Sequence, residues 1–107
     1  MSRGTYLWLI SRTIKPDRLD DFNEAWTPKR RPKGLITAYL CISDKDANEI
    51  IGISVWSSRE TCQAYMQSSK EKERRAAMRP LIEGVNWVGF YTIRSQIGSW
   101  HHSPQNR

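Results

Sequence analysis

The sequence predicts an α+β domain in the order β-α-β-β-α-β, with four antiparallel strands in one sheet and the helices on one face. Three observations carry that prediction. Four segments have strand composition, and helical stretches separate the first from the second and the third from the fourth. A chain of 107 residues has room for one core and no second one. Both faces of the strands are apolar by alternation, although helices of this number can cover only one.

The first strand runs from Thr5 to Ile14 and is rich in aromatic and β-branched residues. Pro16 sits where a first helical position is expected, and Asp17, Asp20 and Asp21 complement the positive end of the helix dipole. Leu19, Phe22 and Trp26 then fall on one stripe at i, i+3 and i+7. Pro28 and Pro32 end the helix and hold open a basic loop that contains Lys29, Arg30, Arg31 and Lys33. Gly34 starts the second strand, Leu35 to Ile42. The turn-forming run from Ser43 to Asn48 joins it to the third, Glu49 to Trp56, as an antiparallel hairpin.

Ser57-Ser-Arg-Glu60 is a capping-box pattern that opens a helix through about Gln67, with Cys62, Tyr65 and Met66 on its apolar side. Ser68-Ser69 interrupts it. A second helical piece carries Ala77, Met78 and Leu81, with Pro80 tightening its last turn and Gly84 closing it. Val85 to Ile93 is the fourth strand, and residues 95–107 form a polar tail outside a domain spanning 1–94. This element order is the split βαβ arrangement of ferredoxin-like folds.

The two-faced sheet predicts a partner. Strand two offers Ile36, Ala38, Leu40 and Ile42 on one side and Leu35, Thr37, Tyr39 and Cys41 on the other. Strand three offers Ile51, Ile53 and Val55 against Ile50, Gly52, Ser54 and Trp56. Strand four offers Val85, Trp87, Tyr91 and Ile93 against Val88 and Phe90. Each large apolar side chain left wet forgoes about 1.5–3 kcal/mol. A second copy stacked on the helix-free face removes that cost, which predicts an obligate homodimer with an interface of at least ~1,200–2,000 Å².

Composition excludes several classes. The charge of +6 at pH 7 owes four units to the basic loop, and no interleaved aromatic platform accompanies it, so nucleic acid is not an expected partner. The longest apolar run, Tyr6 to Ile10, is too short for a membrane helix or a leader core, so no membrane partner and a cytoplasmic location are expected. Cys41 and Cys62 have no metal-ligand spacing and read as reduced thiols. His101 and His102, beside Trp100, are the only histidines, and no carboxylate or cysteine near them completes a metal site.

Three stretches resemble the antibiotic-biosynthesis monooxygenase (ABM) family of the dimeric α/β-barrel superfamily, over about residues 5–94. They are Ile14-Lys-Pro-Asp-Arg-Leu-Asp-Asp-Phe22, Lys33-Gly-Leu-Ile-Thr-Ala-Tyr-Leu40, and the run from Ile50 through Val55-Trp56-Ser-Ser-Arg-Glu60 to Tyr65. The resemblance implies a cofactor-independent monooxygenase of a small aromatic or polyketide-like substrate. Trp56, Tyr65 and Arg75 are then the candidate catalytic residues, with Tyr39, Arg12 and Tyr91 as candidate substrate contacts. It implies no cofactor and no metal. Two positions depart from that family's quinone-forming branch, because Gly52 stands where it has an asparagine and Cys62 where it has a tyrosine. The haem-degrading branch needs an asparagine on strand one and a histidine near Arg75, and the chain has neither. The alternative is a non-catalytic dimeric barrel that binds a small apolar or anionic ligand.

Overall fold

The computed structural model describes residues 5–98, and the readings made for Trp100, His101 and His102 fall outside them. The elements are β1 (Tyr6–Ile14), α1 (Leu19–Trp26), β2 (Leu35–Ile42), β3 (Glu49–Trp56), α2 (Arg59–Met66), α3 (Ser69–Met78), a 3₁₀ turn (Arg79–Leu81) and β4 (Ile82–Thr92). All pairings are antiparallel, in the order β2-β3-β1-β4. This is the predicted ferredoxin-like α+β sheet.

Local signals account for most boundaries. Ser58 caps α2 by accepting the Thr61 amide at 3.1 Å, and Ser68 caps α3 by accepting the Glu71 amide at 3.2 Å. The α2 cap is therefore one residue later than the Ser57 pattern suggested. Pro80 lies inside the 3₁₀ turn, where its missing amide is harmless. The start of α1 is a correction. Asp17 adopts φ +62°, so Pro16-Asp17 forms a turn and the helix begins only at Leu19. Gly34 takes φ +87° with its α-carbon against Thr61, a conformation and an approach that suit only glycine.

Strand four begins earlier than expected, and Gly84 lies within it, opposite Thr13. Between Ser11 and Arg12 the β1–β4 register slips, so Trp87 faces Ser11 while Val85 faces Arg12. That bulge turns Val85 toward the helices, away from the side shared by Trp87 and Tyr91. A second slip, between Leu35 and Thr37 of β2, likewise brings Leu35 to the helix side, against Trp8 and Trp56.

On β1 the helix-side file is Tyr6, Trp8, Ile10, Arg12 and Ile14. Two core clusters grow from its ends. Tyr6 and Trp8 join Trp56 and Cys62 at one end; Ile14 joins Phe22, Ile50, Met78 and Leu81 at the other. Arg12, in the gap between them, is 4% exposed. The opposite face carries Leu7, Leu9, Ile51, Ile53, Val55, Tyr39, Trp87 and Tyr91, and no helix of the described residues covers it. Asn86, Ser11 and Thr13 form a small hydrogen-bonded group on this face, with Asn86 Nδ2 donating to both hydroxyls at 3.1 and 3.2 Å. Among the described residues, no helix is long and apolar enough to cross a membrane.

Candidate functional site

β1 divides the space between sheet and helices into two hollows that share the wall Trp8, Ile10 and Arg12. The hollow on the β3 side is bounded by Trp26, Trp56, Tyr65 and Arg74 and holds only about 40 Å³, a water-sized space. The one on the β4 side holds about 300 Å³, at the lower end of the range for small-molecule pockets. Trp8 and Phe90 form its aromatic wall, with ring centroids 6.1 Å apart and planes 13° from parallel. Met66 and Met78 face them from the helices, and Arg75 and Arg79 stand on the same lining. α2 packs on β1 and β3, the middle strands, and Val85, Val88 and Phe90 of β4 remain half exposed beside the opening.

The candidate residues separate by this geometry. Trp56 is buried, its indole donates to Ser54 Oγ at 2.8 Å, and its ring lies 5.4 Å from that of Tyr65. The pair therefore packs ring against ring as core beside the small hollow. Burial, with Glu71 opposing Arg74 nearby, raises the Tyr65 phenol above its ordinary range. Tyr39 and Tyr91 lie outside both hollows. They pair with Ile53 and Leu7 and point from the helix-free face, 55% and 58% exposed. Alternation gives them the wrong parity for a site under the helices.

Arg75 lines the larger pocket, but its charge is already engaged. Its Nε lies 3.4 Å from Glu71 Oε2 and its Nη2 donates to the Met66 carbonyl at 2.6 Å. Arg12 is the opposite case. It makes no hydrogen bond or ion pair among the described residues, its Nη1 is buried without a partner, and its guanidinium carbon sits 5.5 Å above the Phe22 ring. Burial, reinforced by the nearby Arg74 charge and opposed by Glu71, pushes its pKa down to about 10. A second orphaned donor, Trp8 Nε1, belongs to the same strand face two positions along.

The sequence reading missed Glu71, Arg74, Trp26 and Trp8. Glu71 is fully buried and binds Arg74 Nε at 2.9 Å, and Arg74 Nη1 in turn donates to the Trp26 carbonyl at 2.6 Å. By composition the alternating run Lys70-Glu-Lys-Glu73 reads as a solvated face. Yet Glu71, Arg74, Arg75 and Met78 fall at i, i+3, i+4 and i+7, the inward stripe of α3. Trp26 explains the departure at Gly52: a β-carbon there would come 2.9 Å from the indole Nε1 of Trp26. Cys62 is buried, and burial together with Glu71 pushes its thiol up to about 11, so it stays protonated at neutral pH. Among the described residues, no group of three or more His, Cys, Asp or Glu side chains is placed to hold a metal ion.

No family model and no curated protein matches the sequence. Solved structures do match. A proposed antibiotic biosynthesis monooxygenase from Chloroflexus aurantiacus superimposes with a TM-score of 0.76 at 19% identity, over 89% of this chain and 98% of that one. SnoaB, a cofactor-independent oxygenase from Streptomyces nogalater, gives a TM-score of 0.71 at 15% identity, over 90% of this chain and 100% of its own. A conserved protein from Methanosarcina mazei gives a TM-score of 0.73 at 11% identity, over 87% of this chain and 96% of that one. The fold of this chain is that of the antibiotic biosynthesis monooxygenases.

Proposed function

We propose that the chain is a cofactor-independent monooxygenase acting on a small electron-rich aromatic or polyketide-like compound, bound in the pocket beside β4. The observation that carries this reading is a buried, unpartnered guanidinium, Arg12, beside an aromatic wall of Trp8 and Phe90. Similarity of fold to an oxygenase supports it at the level of architecture only.

The chemistry such a pocket favours needs no external reductant. A CH₂ group between aryl and carbonyl carbons loses a proton to give an enolate. The enolate passes one electron to dioxygen, and the carbon radical and superoxide combine to a hydroperoxide. Loss of water leaves a carbonyl, so the net change is CH₂ + O₂ → C=O + H₂O. Arg12 stabilises the developing oxyanion in a low-dielectric setting, and the aromatic wall holds the ring plane. Arg75 and Arg79, on the same lining, attract the anion toward the pocket.

Oxygen consumption by the pure protein with a panel of phenols, anthrones and quinols tests this. Uptake is expected with at least one of them, unchanged by Trp56→Phe if Trp56 is core, and reduced at least tenfold by Arg12→Met. A non-catalytic ligand-binding protein is the second reading, favoured by Gly52 and the protonated Cys62 where the family resemblance implies hydrogen-bonding side chains. Binding of the panel without oxygen uptake decides for it.

We also infer a homodimer through the helix-free face, where Tyr39, Trp87 and Tyr91 each remain 45% exposed or more in the single chain. Clustered aromatics on one sheet face are an expected interface core. Sedimentation at micromolar concentration should give about twice 12.5 kDa for the native chain. Ile53→Glu, which buries a charge at the centre of that face, should return it to the single-chain mass. Both cysteines are free, in keeping with a cytoplasmic location.

A further inference from the structure

We propose that Trp8, Trp56 and Tyr65 form a relay that carries a one-electron oxidising equivalent from the pocket beside β4 to the protein surface. The relay goes beyond the oxygenase reading and needs only an oxidising radical in that pocket. Its path follows from the spaces that each ring borders. Trp8 lines both the 300 Å³ pocket and the small hollow. Trp56 borders the hollow from β3. Tyr65, on α2, borders the hollow and also a surface groove of about 320 Å³ beside Lys33, Glu60 and Thr61.

The three rings adjoin in that order. Trp8 and Trp56 are diagonal neighbours on one face of paired strands, a spacing that aromatic side chains bridge. The Trp56 indole donates to Ser54 Oγ at 2.8 Å, and that hydroxyl donates to the Trp8 carbonyl at 3.4 Å, within one buried cluster. The Trp56 and Tyr65 ring centroids are 5.4 Å apart. Electrons pass between oxidisable rings at such separations without any direct contact between a ligand and the buried atoms.

Charge sets the direction. Arg12, two places along the same file from Trp8, is buried without a hydrogen-bond partner and repels a positive hole on that indole. Trp56 has only a serine hydroxyl at its N–H, and so no base to take its proton. Tyr65 has one. Burial, with Arg74 opposing and Glu71 reinforcing, raises its phenol above the ordinary range, so it carries its proton at neutral pH. Glu71 acts on that phenol, and its Oε2 is buried with no hydrogen bond of its own. Loss of an electron makes a phenol strongly acidic. The proton then passes to Glu71, and a neutral phenoxyl radical remains on Tyr65.

The oxidant is an alkylperoxyl radical, formed when an organic radical in the pocket meets dioxygen. It takes an electron from Trp8 and a proton from water to become a hydroperoxide. Trp56 refills Trp8, and Tyr65 refills Trp56 as its proton moves to Glu71. An enediol such as ascorbate, AH₂, then gives an electron to Tyr65 from the groove and a proton to water, and the phenol recovers its proton from Glu71. The net change is ROO• + AH₂ → ROOH + AH•.

The test exposes the full chain to alkylperoxyl radicals from an uncharged azo initiator in aerated buffer, with a nitroso spin trap to mark tyrosyl radicals. Peptide mass spectrometry reads the sites, at one initiator dose for all proteins. Tyr65 is expected to be trapped in the native chain. Trp56→Phe, which keeps a ring but breaks the path, should lower Tyr65 trapping at least fivefold and raise oxidation of Trp8. Tyr65→Phe should also raise oxidation of Trp8, and ascorbate should protect Trp8 less in that variant than in the native chain. Circular dichroism checks that each variant is folded. Equal trapping of Tyr65 in native and Trp56→Phe would mean direct attack from solvent and overturns the relay. Trp8 oxidation that neither substitution changes, or no radical on Tyr65, overturns it as well. Turnover is not part of the readout, so a relay that holds with no oxygen uptake removes the oxygenase reading alone.

Discussion

Glu71→Ala is expected to destabilise the domain by about 3–5 kcal/mol, as for other buried charge pairs broken by removing one partner. Against a total stability of about 5–15 kcal/mol for a domain, this is a large fraction. The carboxylate is fully buried and organises the place where three helices meet. It pairs with Arg74, which donates to the Trp26 carbonyl at the end of α1, and with Arg75, which donates to the Met66 carbonyl at the end of α2. Both cations thus sit at helix C-termini, where the macrodipole favours them. Without Glu71 the largely buried Arg74 would lie near Arg12 with no counter-charge between them. Urea denaturation is the measurement, with an unchanged slope and a lowered midpoint expected. Glu71→Gln, which keeps one acceptor oxygen but removes the charge, should fall between alanine and native. The exposed Arg18–Asp21 pair, equally short at 3.0 Å, is the contrast: Asp21→Asn should change stability by no more than about 1 kcal/mol.

The same stripe explains where sequence reading succeeded and where it did not. Strand parity was legible along β3, where alternation separated Ile51, Ile53 and Val55 from Ile50, Gly52, Ser54 and Trp56, and the sheet puts those two sets on opposite faces. It failed at Leu35 and Val85, since a bulge adds one residue and reverses parity without any compositional mark. Glu71 was hidden by its neighbours: in a run of charges, composition suggests solvent, and only the phase relative to Met78 reveals an inward carboxylate. Trp56 and Tyr65 lie side by side, and a pair of large rings in a sequence specifies contact, not a void. Whether space remains depends on Trp26, which arrives from a helix thirty residues away and fills the room that Gly52 leaves. Arg12 entered the reading only as a substrate contact implied by the family resemblance. Its burial between the two core clusters and its lack of a hydrogen-bonding partner are tertiary facts.

That lack of a partner has a price in stability, and its size leads to the last prediction. Arg12→Met is expected to stabilise the fold by about 1–3 kcal/mol at neutral pH while weakening function. Folding lowers the arginine's pKa to about 10, chiefly through burial. That depression corresponds to a cost of about 3 kcal/mol for keeping the guanidinium charged in the folded state. The attraction of the cation to the Phe22 ring belongs to the same side chain and offsets part of the gain, by about 0.5–2 kcal/mol. Methionine retains the unbranched apolar stem and removes the buried charge.

The pH dependence follows from the sign. Above about pH 10 the unfolded chain still holds the proton that the folded one has lost, so native stability attributable to Arg12 is lowest below pH 10 and recovers as the pH rises past it. The advantage of Arg12→Met should therefore be constant from pH 6 to 9 and begin to shrink near pH 10. Urea midpoints of the two proteins across that range give the comparison. A destabilised Arg12→Met would mean that Arg12 is a structural support of the two core clusters. A stabilised one, combined with lost anion binding, would identify Arg12 as a residue retained at the expense of the fold for what it holds.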